Sequence, residues 1–226
     1  MIKDNIKILL DKIELRCKSS GRNFDDLTLV AVSKNQPIEK LYEAYNSNLI
    51  HFGENKAQEF KQKVGLCKEP VHWHFIGHLQ TNKVKYVIDS AELIHSVESI
   101  KIADEINNKA NSINKKQKIL LQINTSLEES KFGIASEEDI FKLYEYCYKL
   151  KNISVEGLMT MAPFTEDEKI IRDSFKGLRI FKEKIEKHYS TKLKELSMGM
   201  TNDFLIAIDE GSTILRIGTA IFGERN

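Results

Sequence analysis

The sequence predicts a (β/α)8 barrel with one additional helix ahead of its first strand. Eight short apolar runs recur along 226 residues. Most are rich in Ile, Val, Leu or Phe and bounded by Gly, Asn or Ser, the pattern of parallel strands buried on both faces. Between the runs the apolar period changes to that of an amphipathic helix. About eight such units in this length fit the small end of the barrel's size range. A doubly wound open sheet shows the same alternation. The barrel accounts better for the ends: AIFGERN follows the eighth run with no room for an eighth helix, while a helical pattern precedes the first run. That leading helix can cover the open position, so residues 1–226 read as one domain, with 1–20 packed on the barrel.

Each element has its own justification. Ile2, Ile6, Leu9, Leu10, Ile13 and Cys17 line one face of the first helix. The strands read LTLVAVS (27–33), LIHFG (49–53), HWHFIG (72–77), LIHSV (93–97), KILLQIN (118–124), ISVEGLMTM (153–161), LKELSMG (193–199) and ILRIG (214–218). After the first strand, Pro37 suits a first helical turn, and Ile38, Leu41, Tyr42 and Tyr45 follow at i, i+3, i+4 and i+7. Ser99 precedes a stripe of Ile102, Ala103, Ile106, Ala110 and Ile113. Ser136 is an N-cap followed by three acids that suit the helix dipole, and Ile140, Leu143, Tyr144 and Cys147 form the stripe behind it.

Composition removes several function classes. A formal net charge of +1 gives no bulk attraction to nucleic acid or an anionic membrane. Cys17, Cys67 and Cys147 are scattered and odd in number, neither a disulfide framework nor a zinc site, which points to a reducing compartment. The N-terminus carries Asp4, Asp11 and Glu14 within its apolar pattern, unlike a secretory core, and no run reaches membrane-spanning length. A cytoplasmic protein is expected. His72 and His74 alternate on one strand face with His78 beyond, but no carboxylate or cysteine complement sits at a metal-ligand spacing. No metal is expected, and the GxSxG, Walker A and GxGxxG motifs are absent.

Parallel barrels build their sites at the C-terminal ends of the strands. Those ends carry Ser33-Lys34, Gly53-Glu54-Asn55, Gly77-His78, Asn124-Thr125-Ser126, Met159 to Pro163, SMGMT (197–201) and RIGT (216–219). The last two place Gly and hydroxyl residues after strands 7 and 8, where backbone N–H groups can hold a phosphate. Arg216 lies inside an apolar run, where a buried guanidinium requires acceptors: a carboxylate such as Glu54 or Asp209, or a ligand. A lysine in a desolvated barrel mouth has its pKa lowered, so that its neutral amine can attack an aldehyde. A sugar phosphate and pyridoxal 5'-phosphate (PLP) both satisfy this set.

The blocks AVSK, HFGEN, WHFIGHLQTNK, QINTSLEESKFG, GLMTMAP, SMGMTND and STILRIGTAIFGERN, in this order from residue 27 to the C-terminus, resemble the signature of the YggS/PROSC family of pyridoxal phosphate homeostasis proteins. The resemblance implies the barrel of the alanine racemase N-terminal domain, a fold-type III PLP architecture. It implies Lys34 as the Schiff-base lysine and Arg216 as the partner of the pyridine nitrogen. Ser197, Thr201, Gly218 and Thr219, with the backbone at Gly199, become the phosphate cradle, and Asn55 falls near the ring. Two positions depart from the family pattern: Thr201 stands where serine is usual, keeping the hydroxyl, and Lys56 replaces a tyrosine, adding a charge.

An arginine against the pyridine nitrogen disfavours its protonation and leaves the cofactor a weak electron sink. Alanine racemase completes its site with a tyrosine base from a second domain and a partner chain. The chain here ends at Asn226 and offers no evident second base opposite Lys34. A PLP-binding homeostasis protein, a reservoir or carrier in transient contact with PLP-dependent apo-enzymes, is expected before a racemase-like enzyme, with no residue assigned a catalytic role. A monomer is expected, because the domain that usually makes the racemase dimer is missing.

Overall fold

A computed structural model describes residues 1–126 and 132–224. Eight parallel strands close into one barrel in sequence order: β1 Thr28–Val32, β2 His51–Glu54, β3 His72–Phe75, β4 Ala91–Val97, β5 Gln117–Gln122, β6 Ile153–Met159, β7 Glu195–Ser197 and β8 Ile214–Ile217. Closure is made by β1 against β8, with Val30 opposite Arg216 and Ala31 opposite Ile217. All eight expected strands are present, each trimmed or shifted by a few residues. The family-like segment LEESK (127–131) and the terminal residues 225–226 lie outside the described residues.

The helices are α1 Ile2–Ser19, α2 Ile38–Tyr45, α3 Ala57–Leu66, α4 Ile100–Ser112, α5 Glu137–Tyr148, α6 Glu168–Tyr189, α7 Phe204–Asp209 and α8 Thr219–Phe222. The expected cap is made, Ser136 Oγ accepting from Asp139 N, and Ser99 Oγ likewise accepts from Ile102 N to cap α4. The expectation of no eighth helix is corrected, because Gly218 starts a single helical turn, α8, before Gly223 ends it at φ 84°. That turn is too short to cover its side of the barrel. The leading helix α1 packs on α8, α7 and α2, as expected. Asn5 Nδ2 donates to Ile221 O at 3.0 Å, and Arg22 Nη1 donates to Ile208 O at 2.8 Å.

Apolar residues from Ile2 to Phe222 form one cluster between the strands and the helical ring. The barrel lumen is different. It holds a small apolar group of Val30, Leu93, Leu120, Met159 and Ile214, and the rest of its filling is polar. His74, His95, Gln122, Ser197 and Arg216 are all buried. Burying so much polarity requires partners for each group, and those partners define the site.

Candidate functional site

The expected residues converge on one quadrant of the rim. Lys34 follows β1, Asn55 follows β2, the SMGMT loop follows β7, and Gly218-Thr219 follows β8. Because β8 pairs with β1, the closure of the barrel brings both ends of the sequence to this quadrant. A Cβ on Gly218 would stand 3.3 Å from Val32 O, so the loops after β8 and β1 are in contact. Lys34 is half-buried, Asn55 and Thr201 are half-buried, and Thr219 is exposed.

The backbone on both sides of Lys34 is fixed. Ser33 N donates to Gly53 O at 3.1 Å, and Ser33 Oγ donates to Glu54 Oε1 at 2.6 Å. Asn35, in the left-handed region at φ 58°, gives its N–H to Glu59 Oε1 at 2.6 Å. Under this turn lies Lys63, a buried cation that no sequence motif announced. Its Nζ reaches Ser33 O at 2.5 Å, Glu54 Oε1 at 2.7 Å and Glu59 Oε1 at 2.8 Å. Burial pushes the Glu54 carboxyl up, opposed by Lys63 and Ser33, and its Oε2 is left buried without a partner. The available signal was its position: Ala57, Phe60 and Lys63 fall on one helix face, where a lysine is out of place.

Arg216 points into the lumen and is held differently. Nη1 donates to Ser197 Oγ at 2.6 Å and Nη2 to Thr160 O at 2.8 Å. Neither of the carboxylates anticipated for it is its partner. Glu54 pairs with Lys63, and Asp209 pairs with Arg16 and Arg172 beneath α1 and α6. Among the described residues, Asp203 acts on Arg216 through space. Burial lowers the guanidinium pKa to about 10, still well above neutrality, so it carries its charge with no contacting anion among the described residues.

The loop after β7 is tightly packed on α7 and β8. Gly199 sits at φ 97°, and a Cβ there would come within 2.6 Å of Ala207 Cβ, so no other residue fits without a shift. Asp203 Oδ1 accepts from Met200 N at 2.5 Å, and Gly199 O accepts from Arg216 N at 3.0 Å. Thr201 Oγ1 accepts from Ala220 N at 3.4 Å, tying this loop to α8. Ser197 stands apart from that loop: it is fully buried, with its Oγ between Arg216 and His95. Lys56 is exposed at the start of α3.

His95 and His51 were missed as site residues, and His74 was expected only to be hydrogen-bonded. His51 Nδ1 lies 3.0 Å from His74 Nε2, His74 Nδ1 lies 2.9 Å from His95 Nε2, and His95 Nδ1 lies 2.9 Å from Ser197 Oγ. Burial lowers the pKa of His51 to about 4 and of His74 to about 3, and that of His95 well below its ordinary value. No group of three or more metal-ligating side chains occurs among the described residues. His78 instead pairs with Glu98 at 2.9 Å and stacks on Phe132. They flank a cavity of about 480 Å³ on the β3–β4 side of the rim, off the Lys34–Arg216 quadrant.

The arrangement fits a phosphorylated pyridine aldehyde on two observations. Arg216 presents charge that no contacting carboxylate neutralises. Asn55 Oδ1 is buried without a partner beside Lys34's strand.

Residues 22–226 match the family model described as alanine racemase, N-terminal domain. A pyridoxal phosphate homeostasis protein of Aquifex aeolicus is 41% identical over 223 residues, covering 98% of this chain and 97% of that protein. One from Haemophilus influenzae is 37% identical over 229 residues, covering 100% and 96%. The structure of PipY from Synechococcus elongatus with PLP bound superposes with a TM-score of 0.82 at 30% identity, covering 93% of this chain and all of that one. A Clostridium difficile alanine racemase shares the fold, with a TM-score of 0.80 at 16% identity, covering 98% of this chain and 57% of its own. The chain belongs to the pyridoxal phosphate homeostasis protein family, built on the alanine racemase N-terminal barrel.

Proposed function

We propose that this protein holds PLP as a Schiff base on Lys34 and serves in vitamin B6 homeostasis in the cytoplasm, as a reservoir or carrier of the cofactor. The observation that carries the reading is the convergence of a clamped lysine, an arginine without a contacting anion and a glycine-lined loop on one barrel quadrant. The PLP-bound relative of the same fold supports it.

In this reading the Lys34 amine takes the aldehyde, PLP supplying the reactive carbonyl. Arg216 faces the pyridine nitrogen and keeps it unprotonated, because two cations would otherwise meet. The backbone at Gly199, Gly218 and Thr219 and the Thr201 hydroxyl hold the phosphate. Asn55 Oδ1 faces the ring edge. Ser197 was grouped with the phosphate cradle, but its Oγ lies between Arg216 and His95. We therefore assign it to holding the arginine.

No acid or base on the described rim stands opposite Lys34 as an assigned second proton carrier, and we assign no catalytic residue. PLP is the expected small-molecule partner, and apo-enzymes that require it are the expected protein partners, met transiently by a monomer. Absorbance titration with PLP tests the reading. A visible band that is lost in Lys34→Ala supports it, and a wild type that PLP does not titrate contradicts it. Amino-acid α-proton exchange in deuterated water at enzymatic rates would favour a racemase-like enzyme instead.

A further inference from the structure

Three of the chain's six histidines cross the barrel lumen on a diagonal. His51 opens β2 at the lower mouth, His74 lies midway along β3, His95 lies further up β4, and Ser197 ends β7 beside Arg216. Successive contacts of 3.0, 2.9, 2.9 and 2.6 Å join His51, His74, His95, Ser197 and Arg216. At the lower end His51 is half-exposed and stacks on His72, at 4.7 Å between ring centroids.

The direction of this chain follows from its upper end. A guanidinium has donors and no acceptor, so Arg216 donates to Ser197 Oγ. Ser197 is fully buried, and its hydroxyl has two contacts, Arg216 and His95. Its proton therefore goes to His95 Nδ1, since the reverse arrangement leaves a buried O–H without an acceptor. His95 then carries its proton on Nε2 and donates to His74 Nδ1. His74 likewise donates from Nε2 to His51 Nδ1. In mutual contact, with His74 and His95 buried and His51 half-buried, the three rings are neutral, which gives each one donor and one acceptor as the chain requires.

We propose that Arg216, Ser197, His95, His74 and His51 form a one-way hydrogen-bond relay through the barrel, in which His95 and His74 are positioning residues for the Arg216 guanidinium. Without an acceptor at His95, the Ser197 hydroxyl has no fixed direction for its proton. The relay fixes it towards His95, so the Oγ lone pair always faces Arg216 and the guanidinium keeps one orientation at the rim. The direction of the relay is independent of any ligand, whereas the positioning role rests on Arg216 being the ring-nitrogen partner of PLP.

Two measurements separate these claims. In the protein with 15N-labelled histidine at neutral pH, long-range 1H–15N spectra read each tautomer. His51, His74 and His95 are expected protonated at Nε2 and bare at Nδ1, with Ser197→Ala releasing His95 to a mixture. A cationic ring, or Nδ1–H at His95, overturns the relay. In PLP titrations, His95→Leu is expected to weaken binding about tenfold and shift the visible band, as loss of one buried hydrogen bond implies. His95→Asn, which keeps an acceptor at the Nδ1 position, is expected to restore most of both. Equal loss in the two variants overturns the positioning role. If wild-type protein shows the expected tautomers and binds no PLP, the relay stands and the cofactor reading falls.

Discussion

Around Lys34 the rim is held by charge: Lys63 contacts two carboxylates and a carbonyl beneath the turn, and Glu54 and Glu59 each also bind a residue flanking Lys34. Across the same quadrant Arg216 contacts only neutral atoms, the Ser197 hydroxyl and the Thr160 carbonyl. Both cations are nearly inaccessible, yet their surroundings prepare them for opposite roles. Lys63 is satisfied by anions and has little left to offer a ligand, so it reads as a clamp. Arg216 has its geometry fixed but its charge uncompensated by contact, which leaves a positive potential for whatever enters the rim.

The comparison breaks most visibly at Lys63. Lys63→Met leaves Glu54 buried without its cation, and removing one member of a buried pair typically costs about 3–5 kcal/mol. Denaturant unfolding of the variant is expected to show that loss, with Glu54→Leu recovering most of it in the double variant. If the double variant is no more stable than the single one, the clamp is not a coupled pair.

Acid acts on the other flank. The three relay histidines have folded pKa values below the ordinary 6.5, His51 at about 4 and His74 at about 3, so the unfolded chain binds their protons first. Stability they contribute is fully present above pH 6.5 and is lost as the pH falls towards those folded values. The slope approaches about 4 kcal/mol per pH unit once three unfolded-state histidines are charged. Glu54 and Asp203, pushed up by burial, act with the opposite sign. Unfolding free energies measured between pH 7 and 5 should fall with this steep slope, and a flat profile would remove the neutral histidines from the account.

Smaller effects sharpen the picture. Ser197→Ala removes the link between Arg216 and His95 and is expected to cost about 1–3 kcal/mol, less than the Lys63 change, because no ion pair is broken. Thr201→Ser is expected to change neither stability nor PLP affinity measurably. Thr201→Val, which loses the hydroxyl at nearly constant size, should weaken PLP binding by about tenfold in the same titration.

Much of this was legible in the sequence because parallel strands buried on both faces write themselves as short apolar runs. The eight runs located all the strands, and their polar ends placed Lys34, the SMGMT loop and RIGT at the mouth of the barrel. The lumen was harder to read. His95 sits within LIHSV, whose alternation gives no sign of which face turns inward, and its partners lie 21 and 102 residues away. Arg216 was correctly marked as a buried charge needing acceptors. Its actual acceptors, a serine and a carbonyl, carry no sequence signal of the kind a carboxylate does. Lys63 was hidden for the opposite reason, as one lysine in a helix where lysines are common.

The central claim is that Lys34 is the covalent anchor of PLP, and one measurement addresses it directly. The protein is mixed with PLP, reduced with borohydride, digested and analysed by mass spectrometry. A reduced pyridoxyl adduct confined to the peptide containing Lys34, and absent from Lys34→Ala, is the predicted result. An adduct on another lysine, or none on wild-type protein, would contradict the account.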